Sequence, residues 1–204
     1  MTPKFFYFDL GKVLVDFSSE RMFRQMGDAA GIEPRQVQTV LAAGLQLDYE
    51  TGRLDSRAAY EIFCRQTSTR PEYEVFSRAC NDIFTPIENM LPVVAQLYQA
   101  GYRLGILSNT CEGHWNHCLR RYTMLRSFFS IHVLSFKIGA VKPDAAIFRK
   151  AAELADCQPE DIFYTDDIPG HVAGARSVGL DAVVYTSTED LVKELRKRRV
   201  EFNY

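Results

Sequence analysis

A short, uninterrupted run of large apolar side chains near the start of the sequence ends at a carboxylate. Residues 5–8 read Phe-Phe-Tyr-Phe, and Asp9 follows where the run passes into Leu10 and Gly11. An apolar run without polar alternation is typical of a strand that is buried on both faces, as in parallel sheets. Reactive groups of α/β proteins gather at the carboxyl ends of such strands. Asp9 is therefore a candidate nucleophile.

From residue 103 onward, short apolar runs alternate with helical segments, which is typical of βαβ units. The predicted strands are 103–107, 131–134, 162–165 and 182–185, and the predicted helices are about 115–122, 144–154, 171–178 and 188–198. Together with the first run, they predict an α/β fold whose core is a Rossmann-like parallel sheet.

The region between the first strand and residue 86 has a different pattern. Its apolar residues recur with helical spacing, and no strand signal interrupts them. We therefore predict an inserted all-helical cap at residues 17–85. The α/β core would then comprise residues 1–16 and 86–204.

Composition restricts the classes of partner. The 204 residues carry 24 basic and 26 acidic side chains, a net charge of −2, which gives no reason to expect a nucleic acid or an anionic membrane. No apolar run approaches the roughly 20 residues that span a bilayer. The odd number of cysteines and the lack of an apolar leader favour a reducing compartment, and we expect the cytoplasm. Nothing in the sequence indicates the oligomeric state.

Polar residues with related chemistry follow four of the predicted elements. They are Asp9, the pair Ser108-Asn109, Lys142 before Pro143, and the pair Asp166-Asp167. The ends of parallel strands meet at one edge of a sheet, so these groups can share a site. Phosphoryl transfer requires a nucleophile in line, a metal ion and positioned donors for the remaining charge. The four segments could supply all three.

Each of these residues receives a specific role. Asp9 would attack the phosphorus, and Asp9 and Asp167 would bind Mg²⁺, which prefers oxygen ligands. Asp166 would support the metal-binding residues without binding the ion itself. Lys142 would keep Asp9 ionised and screen the phosphate charge. Each residue type also has a simpler explanation, because aspartates cap turns and helices and most lysines are solvated.

The pair Ser108-Asn109 would bind the phosphate itself. The Ser108 hydroxyl can donate a hydrogen bond to a phosphate oxygen, and Asn109 can hold the substrate or the nucleophile in place. Taken alone, Ser-Asn-Thr is an ordinary turn. Its position after a predicted strand, like that of the other segments, favours the functional interpretation.

The four segments, in this order and with helical sequence between the first and second, resemble the motifs of haloacid dehalogenase-like hydrolases. The pattern Asp-Leu-Gly-x-Val at residues 9–13 is most similar to that of sugar-phosphate phosphatase-like members. The resemblance implies a Mg²⁺-dependent phosphatase that acts on a small phosphorylated metabolite through an aspartyl-phosphate. It also implies that the backbone carbonyl of Gly11 binds the metal and that the cap closes over the site.

Gly11 departs from the pattern of the family's phosphatases, which carry a second aspartate there. That aspartate protonates the leaving alcohol and then activates water, a contribution of roughly 10²- to 10⁴-fold in rate. Its absence favours substrates with stabilised leaving groups, such as anomeric sugar, acyl or aryl phosphates. Two alternatives stay open, a 2-haloacid dehalogenase-type hydrolase and a catalytically weak protein that binds a phosphometabolite. Lys12 also departs from the family's pattern, and a lysine with a positive φ at this position would cost energy.

Further residues have plausible functional interpretations beside ordinary ones. The set Cys111, His114, His117 and Cys118 superficially suggests zinc, but helical phase separates its members, so zinc is not favoured. His114 could touch substrate at the mouth of the site, and His171 could cap a helix or support the acidic pair. In the cap, the candidates for reaching inward are Tyr49, Glu50 and Arg53.

Overall fold

The apolar run at the start of the chain forms the central strand of a parallel sheet. The computed structural model describes residues 2–204. Its strands are β1 (Phe5–Phe8), β2 (Val15–Phe17), β3 (Phe84–Pro86), β4 (Arg103–Ser108), β5 (Ile131–Leu134), β6 (Ile162–Asp166) and β7 (Asp181–Val184). Five of them form one sheet in the order β5-β4-β1-β6-β7, and the paired strands run parallel. The predicted α/β class with a parallel core is confirmed.

Twelve α-helices accompany the strands within the described part of the chain. They are α1 (Ser19–Ala30), α2 (Pro34–Val40), α3 (Gln46–Glu50), α4 (Ser56–Thr67), α5 (Tyr73–Asn81), α6 (Met90–Gln99), α7 (Glu112–Arg121), α8 (Met124–Ser127), α9 (Ser135–Ile138), α10 (Ala145–Ala155), α11 (Pro169–Ser177) and α12 (Thr188–Lys197). No helix within residues 2–204 is both long enough and apolar enough to cross a membrane.

The register of β1 aligns the ends of three strands. Phe8 lies opposite Ile106 of β4 on one side and Thr165 of β6 on the other. Asp9, one residue further on, therefore lies level with Leu107, next to the end of β4, and with Asp166, the last residue of β6. Alternate side chains of β1 enter the apolar clusters on opposite faces of the sheet, so the strand is buried on both sides, as its composition predicts.

Helices α1 to α5, residues 19–81, form a separate layer that we call the helical layer. A π-helical turn at Leu41–Leu45 joins α2 to α3, with Gly44 at a φ of 111° that favours glycine. The amphipathic helices bury their own apolar core, which includes Met26, Phe63 and Phe76. The predicted fold class included an inserted all-helical unit, and the structure confirms this part of the prediction.

A two-stranded antiparallel ribbon of β2 and β3 joins the helical layer to the sheet. The sequence pattern did not indicate this ribbon, which begins and ends at the edges of the predicted helical segment. Three-residue strands are too short to show the alternation by which a strand is recognised. The ribbon matters for the site because it turns Phe17 back towards the residues that follow β1.

Candidate active site

Asp9 lies at the carboxyl end of β1 in a buried position. Its backbone amide donates to the Thr165 carbonyl (3.0 Å), which continues the pairing with β6 for one more residue. Its Oδ1 accepts from the Leu10 amide (2.7 Å) and lies 2.9 Å from Lys142 Nζ. The carboxylate is therefore held by the backbone turn below it and by one buried cation.

Lys142 is the electrostatic centre of the site. Its side chain is fully buried, and Nζ lies 2.6 Å from Asp166 Oδ2 as well as 2.9 Å from Asp9. It also donates to the Leu107 carbonyl (3.1 Å) and to the Tyr164 hydroxyl (3.0 Å). A buried ammonium is tolerated only with such partners.

Both carboxylate oxygens of Asp166 already have donors. Oδ1 accepts from the Ile168 amide (2.8 Å), and Oδ2 accepts from Lys142 and from the Tyr164 hydroxyl. His171 Nδ1 lies 3.1 Å from each oxygen. Burial raises the pKa of Asp166, but the contacts with His171 and Lys142 outweigh it and hold that pKa well below its usual range.

Asp9 has fewer donors than Asp166, although the two share the same lysine. Burial raises the pKa of Asp9 to about 6, against the opposing effect of Lys142. Burial and the neighbouring charge of Asp166 also raise the pKa of Asp167. Burial raises the pKa of all three carboxyls, but only Asp166 accepts enough hydrogen bonds, from His171, Lys142 and Tyr164, to reverse that effect.

Asp9, Asp166 and Asp167 each offer a carboxylate oxygen within 4.8 Å of the others. They are the only group of three or more potential ligands of this kind in residues 2–204. Three carboxylates this close repel one another unless a cation lies between them. An all-oxygen set of this kind suits Mg²⁺. Because both oxygens of Asp166 are occupied, Asp9 and Asp167 are the freer pair.

Ser108 is the last residue of β4, and Asn109 follows it at the same edge of the sheet. The Ser108 side chain is buried, and its hydroxyl makes one long contact, 3.4 Å, with the Asn109 carbonyl. The Asn109 amide group pairs with the backbone of Lys142, donating to its carbonyl (3.0 Å) and accepting from its amide (2.8 Å). Asn109 thus positions the lysine loop. A hydrogen bond from Asn109 to substrate stays a prediction.

Gly11 lies against the ring of Phe17, which the ribbon places beside it. A Cβ atom added at Gly11 would lie 2.8 Å from Cε1 and 3.3 Å from Cδ1 of that ring. An aspartate at position 11 therefore requires Phe17 to move. The neighbouring Lys12 has a φ of 59°, the strained region anticipated for a lysine here, and its ammonium donates to the Phe17 carbonyl (2.8 Å).

A cavity of about 100 Å³ lies between the sheet edge and the helical layer, and we call it the site cavity. Gly11, Ser108 and Asn109 line it on the side of the sheet. Glu50 lines it from the helical layer, as the sequence suggested. Arg53 is exposed and pairs instead with Asp48 (3.2 Å).

Tyr49 contacts the core outside the site cavity. Its hydroxyl accepts a hydrogen bond from the Gly113 amide (2.9 Å) and forms another with the Ser56 hydroxyl (2.8 Å). Ser56 in turn contacts Glu112 Oε2 through its hydroxyl (2.6 Å) and its amide (3.1 Å). These contacts join the helical layer to α7.

His114 and His117 are part of α7 and lie against the helical layer. His114 lines the site cavity, and its Nε2 lies 3.2 Å from the Cys80 carbonyl. His117 Nε2 lies 3.9 Å from Asp82. The first of them therefore reaches the mouth of the site, where the sequence suggested a substrate contact.

Tyr164 and Ser135 belong to the site but were not identified from the sequence. The Tyr164 hydroxyl contacts Lys142 and Asp166, and the Ser135 hydroxyl bridges the amide and the carbonyl of Thr110 (both 2.9 Å). Tyr164 stands two residues before Asp166 and so shares its face of β6. That spacing was a usable signal. For Ser135, which joins two distant loops, no local signal existed.

A protein-family model matches most of the chain. Residues 10–185 match the family described as haloacid dehalogenase-like hydrolase. A glyceraldehyde 3-phosphate phosphatase of Methanothermobacter thermautotrophicus is 28% identical over 123 residues, 59% of this chain and 52% of that protein. A pyrimidine 5'-nucleotidase of Escherichia coli is 26% identical over 159 residues, 73% of this chain and 70% of that protein. The first match thus spans about half of the relative's length.

Solved structures share the fold over nearly the whole chain. A HAD family enzyme of Bacteroides thetaiotaomicron superposes with a TM-score of 0.86 at 21% identity, covering 96% of this chain and 100% of that one. A second structure of that enzyme, in complex with magnesium and inorganic phosphate, gives a TM-score of 0.81 at 21% identity and covers 90% and 94%. At this identity the likeness establishes the fold.

Proposed function

Because the chain belongs to the haloacid dehalogenase-like hydrolase family, we propose that it hydrolyses phosphate monoesters with Asp9 as the phosphoryl acceptor. The observation that carries the proposal is the buried contact of Asp9 with Lys142 at the end of β1. The lysine favours the ionised, nucleophilic form of a carboxylate that burial alone would neutralise. Phosphatases among the relatives support the same reaction.

We propose that Asp9, Asp167 and the Gly11 carbonyl hold Mg²⁺. The oxygen donors at the sheet edge fit this ion, and a solved relative binds magnesium together with phosphate. When bound, the ion would neutralise charge on the phosphate oxygens. Asp166, with both oxygens occupied, orients Lys142 and the loop that carries Asp167.

The chain's own residues then account for the first half-reaction. Asp9 Oδ attacks the phosphorus, the bond from phosphorus to the leaving oxygen breaks, and the electron pair stays with the leaving group. The Ser108 hydroxyl donates to a phosphate oxygen, and Lys142 balances the charge of Asp9. Water then attacks the phosphorus of the aspartyl-phosphate, which releases phosphate and restores the carboxylate.

The leaving group receives no proton from position 11. Gly11 has no side chain to donate one, and the Phe17 ring lies where a side chain would begin. The best substrates are therefore those whose leaving group is stable as an anion, such as acyl, aryl or anomeric sugar phosphates. A small phosphorylated metabolite of this kind suits a site cavity of about 100 Å³.

We propose that residues 17–85 act as a cap over a catalytic core of residues 1–16 and 86–204. Glu50 from the first part and His114 from the second both line the site cavity. The cap would exclude water and select the leaving group. The cysteines are all free thiols, which supports a reducing compartment such as the cytoplasm.

The direct test is a panel of substrates with Mg²⁺ and with excess chelator. Acetyl phosphate, 4-nitrophenyl phosphate and glucose 1-phosphate should release phosphate only when Mg²⁺ is present, and 2-haloacids should release no halide. Halide release without phosphatase activity would favour the dehalogenase alternative. Phosphate binding without turnover of any ester would favour a binding protein.

A further inference from the structure

A second cavity lies inside the helical layer, and we call it the inner cavity. Its volume is about 70 Å³, and its wall is mainly apolar and aromatic. Among the lining residues are Met26, Leu45, Ala59, Phe63 and Phe76. Protein interiors contain few voids larger than a water molecule. A void of this size in the centre of the layer's apolar core is therefore a feature to explain.

The inner cavity shares part of its wall with the site cavity. Met22, Gln46, Glu50 and His114 line both. The shared wall is polar at its rim, where Gln46 Nε2 donates to Glu50 Oε1 (2.8 Å). A molecule that enters the site cavity thus meets a short polar zone and then an apolar interior.

The geometry of the site orients an ester across these two cavities. The phosphoryl group must lie at the sheet edge, next to Asp9 and Ser108, for attack to be in line. The rest of the molecule then extends away from the sheet, towards the helical layer. The inner cavity is the continuation of that path.

The lining decides which chemistry can occupy the inner cavity. A sugar there would lose hydrogen bonds to water, because most of the cavity surface is apolar and polar groups of the wall, such as the hydroxyls of Tyr49 and Tyr60, already have hydrogen-bond partners. An alkyl chain or an aromatic ring loses nothing and removes apolar surface from water. The cavity therefore discriminates against polyhydroxylated leaving groups.

We propose that the inner cavity is a subsite for an apolar leaving group, so that the preferred substrates are phosphate derivatives of hydrophobic carboxylic acids or phenols. This inference rests on the proposed phosphatase function and narrows its substrate class. It favours acyl and aryl phosphates over the sugar phosphates that the sequence pattern suggests.

A series of acyl phosphates tests the subsite on the unaltered protein with Mg²⁺. Acetyl, butanoyl and hexanoyl phosphate release carboxylates of nearly equal acidity, so their leaving tendencies match and only the apolar length differs. We expect kcat/KM to rise about four-fold per methylene group until the chain reaches the end of the cavity. Glucose 1-phosphate should be a poorer substrate than hexanoyl phosphate.

A variant that fills the cavity gives an independent test. Ala59→Leu adds bulk to the cavity wall, so the ratio of kcat/KM for hexanoyl to acetyl phosphate should fall at least ten-fold. Ala58→Leu makes the same change one residue earlier on α4, at a position that does not line the cavity, and should leave that ratio unchanged. Thermal unfolding of both variants verifies that they are folded.

The possible results separate the two proposals. Hydrolysis that depends on Asp9 but not on chain length, or that is fastest with the sugar phosphate, overturns the subsite and leaves the phosphatase standing. An equal loss of chain-length preference in both alanine variants also overturns it. If no phosphate compound is hydrolysed in an Asp9-dependent way, the phosphatase proposal fails and the subsite fails with it.

Discussion

The sheet edge below the site cavity and the helical layer above it differ in how completely they are packed. At the sheet edge, Lys142 and Asp166 are fully buried and contact each other and several further polar groups. The helical layer instead borders the inner cavity of about 70 Å³, whose wall is mainly apolar. An electrostatic site must be complete before substrate arrives, because unpaired buried charge is costly. A surface that selects leaving groups can remain partly unfilled until one binds.

Removing the nucleophile should have the largest effect and tests the sheet edge directly. Asp9→Asn retains the shape of the side chain but cannot accept the phosphoryl group, so kcat should fall at least about 10³-fold. Asp28→Asn, on an exposed position of α1, should retain activity. Phosphate release with acetyl phosphate measures both. Unchanged turnover in Asp9→Asn would rule out the aspartyl-phosphate.

Removing the central cation should affect stability far more than removing an exposed ion pair. Lys142→Met leaves Asp9 and Asp166 buried without their shared counter-charge, so the free energy of unfolding should fall by about 3 to 5 kcal/mol. Lys150→Met removes an exposed pair with Glu153 and should cost under about 1 kcal/mol. Urea unfolding measures both. Equal losses would show that the buried network is no more important than a surface pair.

An aspartate at position 11 tests whether the missing acid can be restored. Gly11→Asp alone should destabilise the protein by about 1 to 3 kcal/mol, because its Cβ overlaps the Phe17 ring. Adding Phe17→Ala should relieve the overlap and raise turnover of alkyl phosphates, which need a proton on the leaving group. Gly170→Asp is the control, since a Cβ there meets nothing within 4 Å. If Gly11→Asp is as stable as the control, Phe17 does not block the position.

The contact between the helical layer and α7 should show the smallest effect. Ser56→Ala removes the hydroxyl that donates to Glu112, so the free energy of unfolding should fall by about 1 kcal/mol. If this contact helps to hold the layer closed, KM should rise while kcat for bound substrate changes little. Thr85→Ala, on an exposed residue of β3, provides the reference. If the free energy of unfolding fell as much as in Lys142→Met, the two regions would not differ in how strongly their contacts stabilise the protein.

Much of the sheet edge could be predicted because each part has a local signal. The apolar run of β1 ends at Asp9, and the pairs Ser108-Asn109 and Asp166-Asp167 each stand at the end of a buried strand. Parallel strands bring such ends together whatever the intervening sequence. The contact of Lys142 with the Leu107 carbonyl had no comparable signal. The two residues are 35 positions apart in the sequence, so only the folded chain reveals this contact.

The sequence by itself determined the α/β class, the helical insertion and the order of polar residues along the sheet edge, because strand and helix periodicities are local properties of the chain. The tertiary structure decided what these residues contact. The β2-β3 ribbon turns Phe17 onto Gly11, Asn109 pairs with the backbone of Lys142, and the helical layer leaves the inner cavity next to α7. These features depend on how distant segments pack, and side-chain packing is set by three-dimensional neighbours that no local pattern specifies.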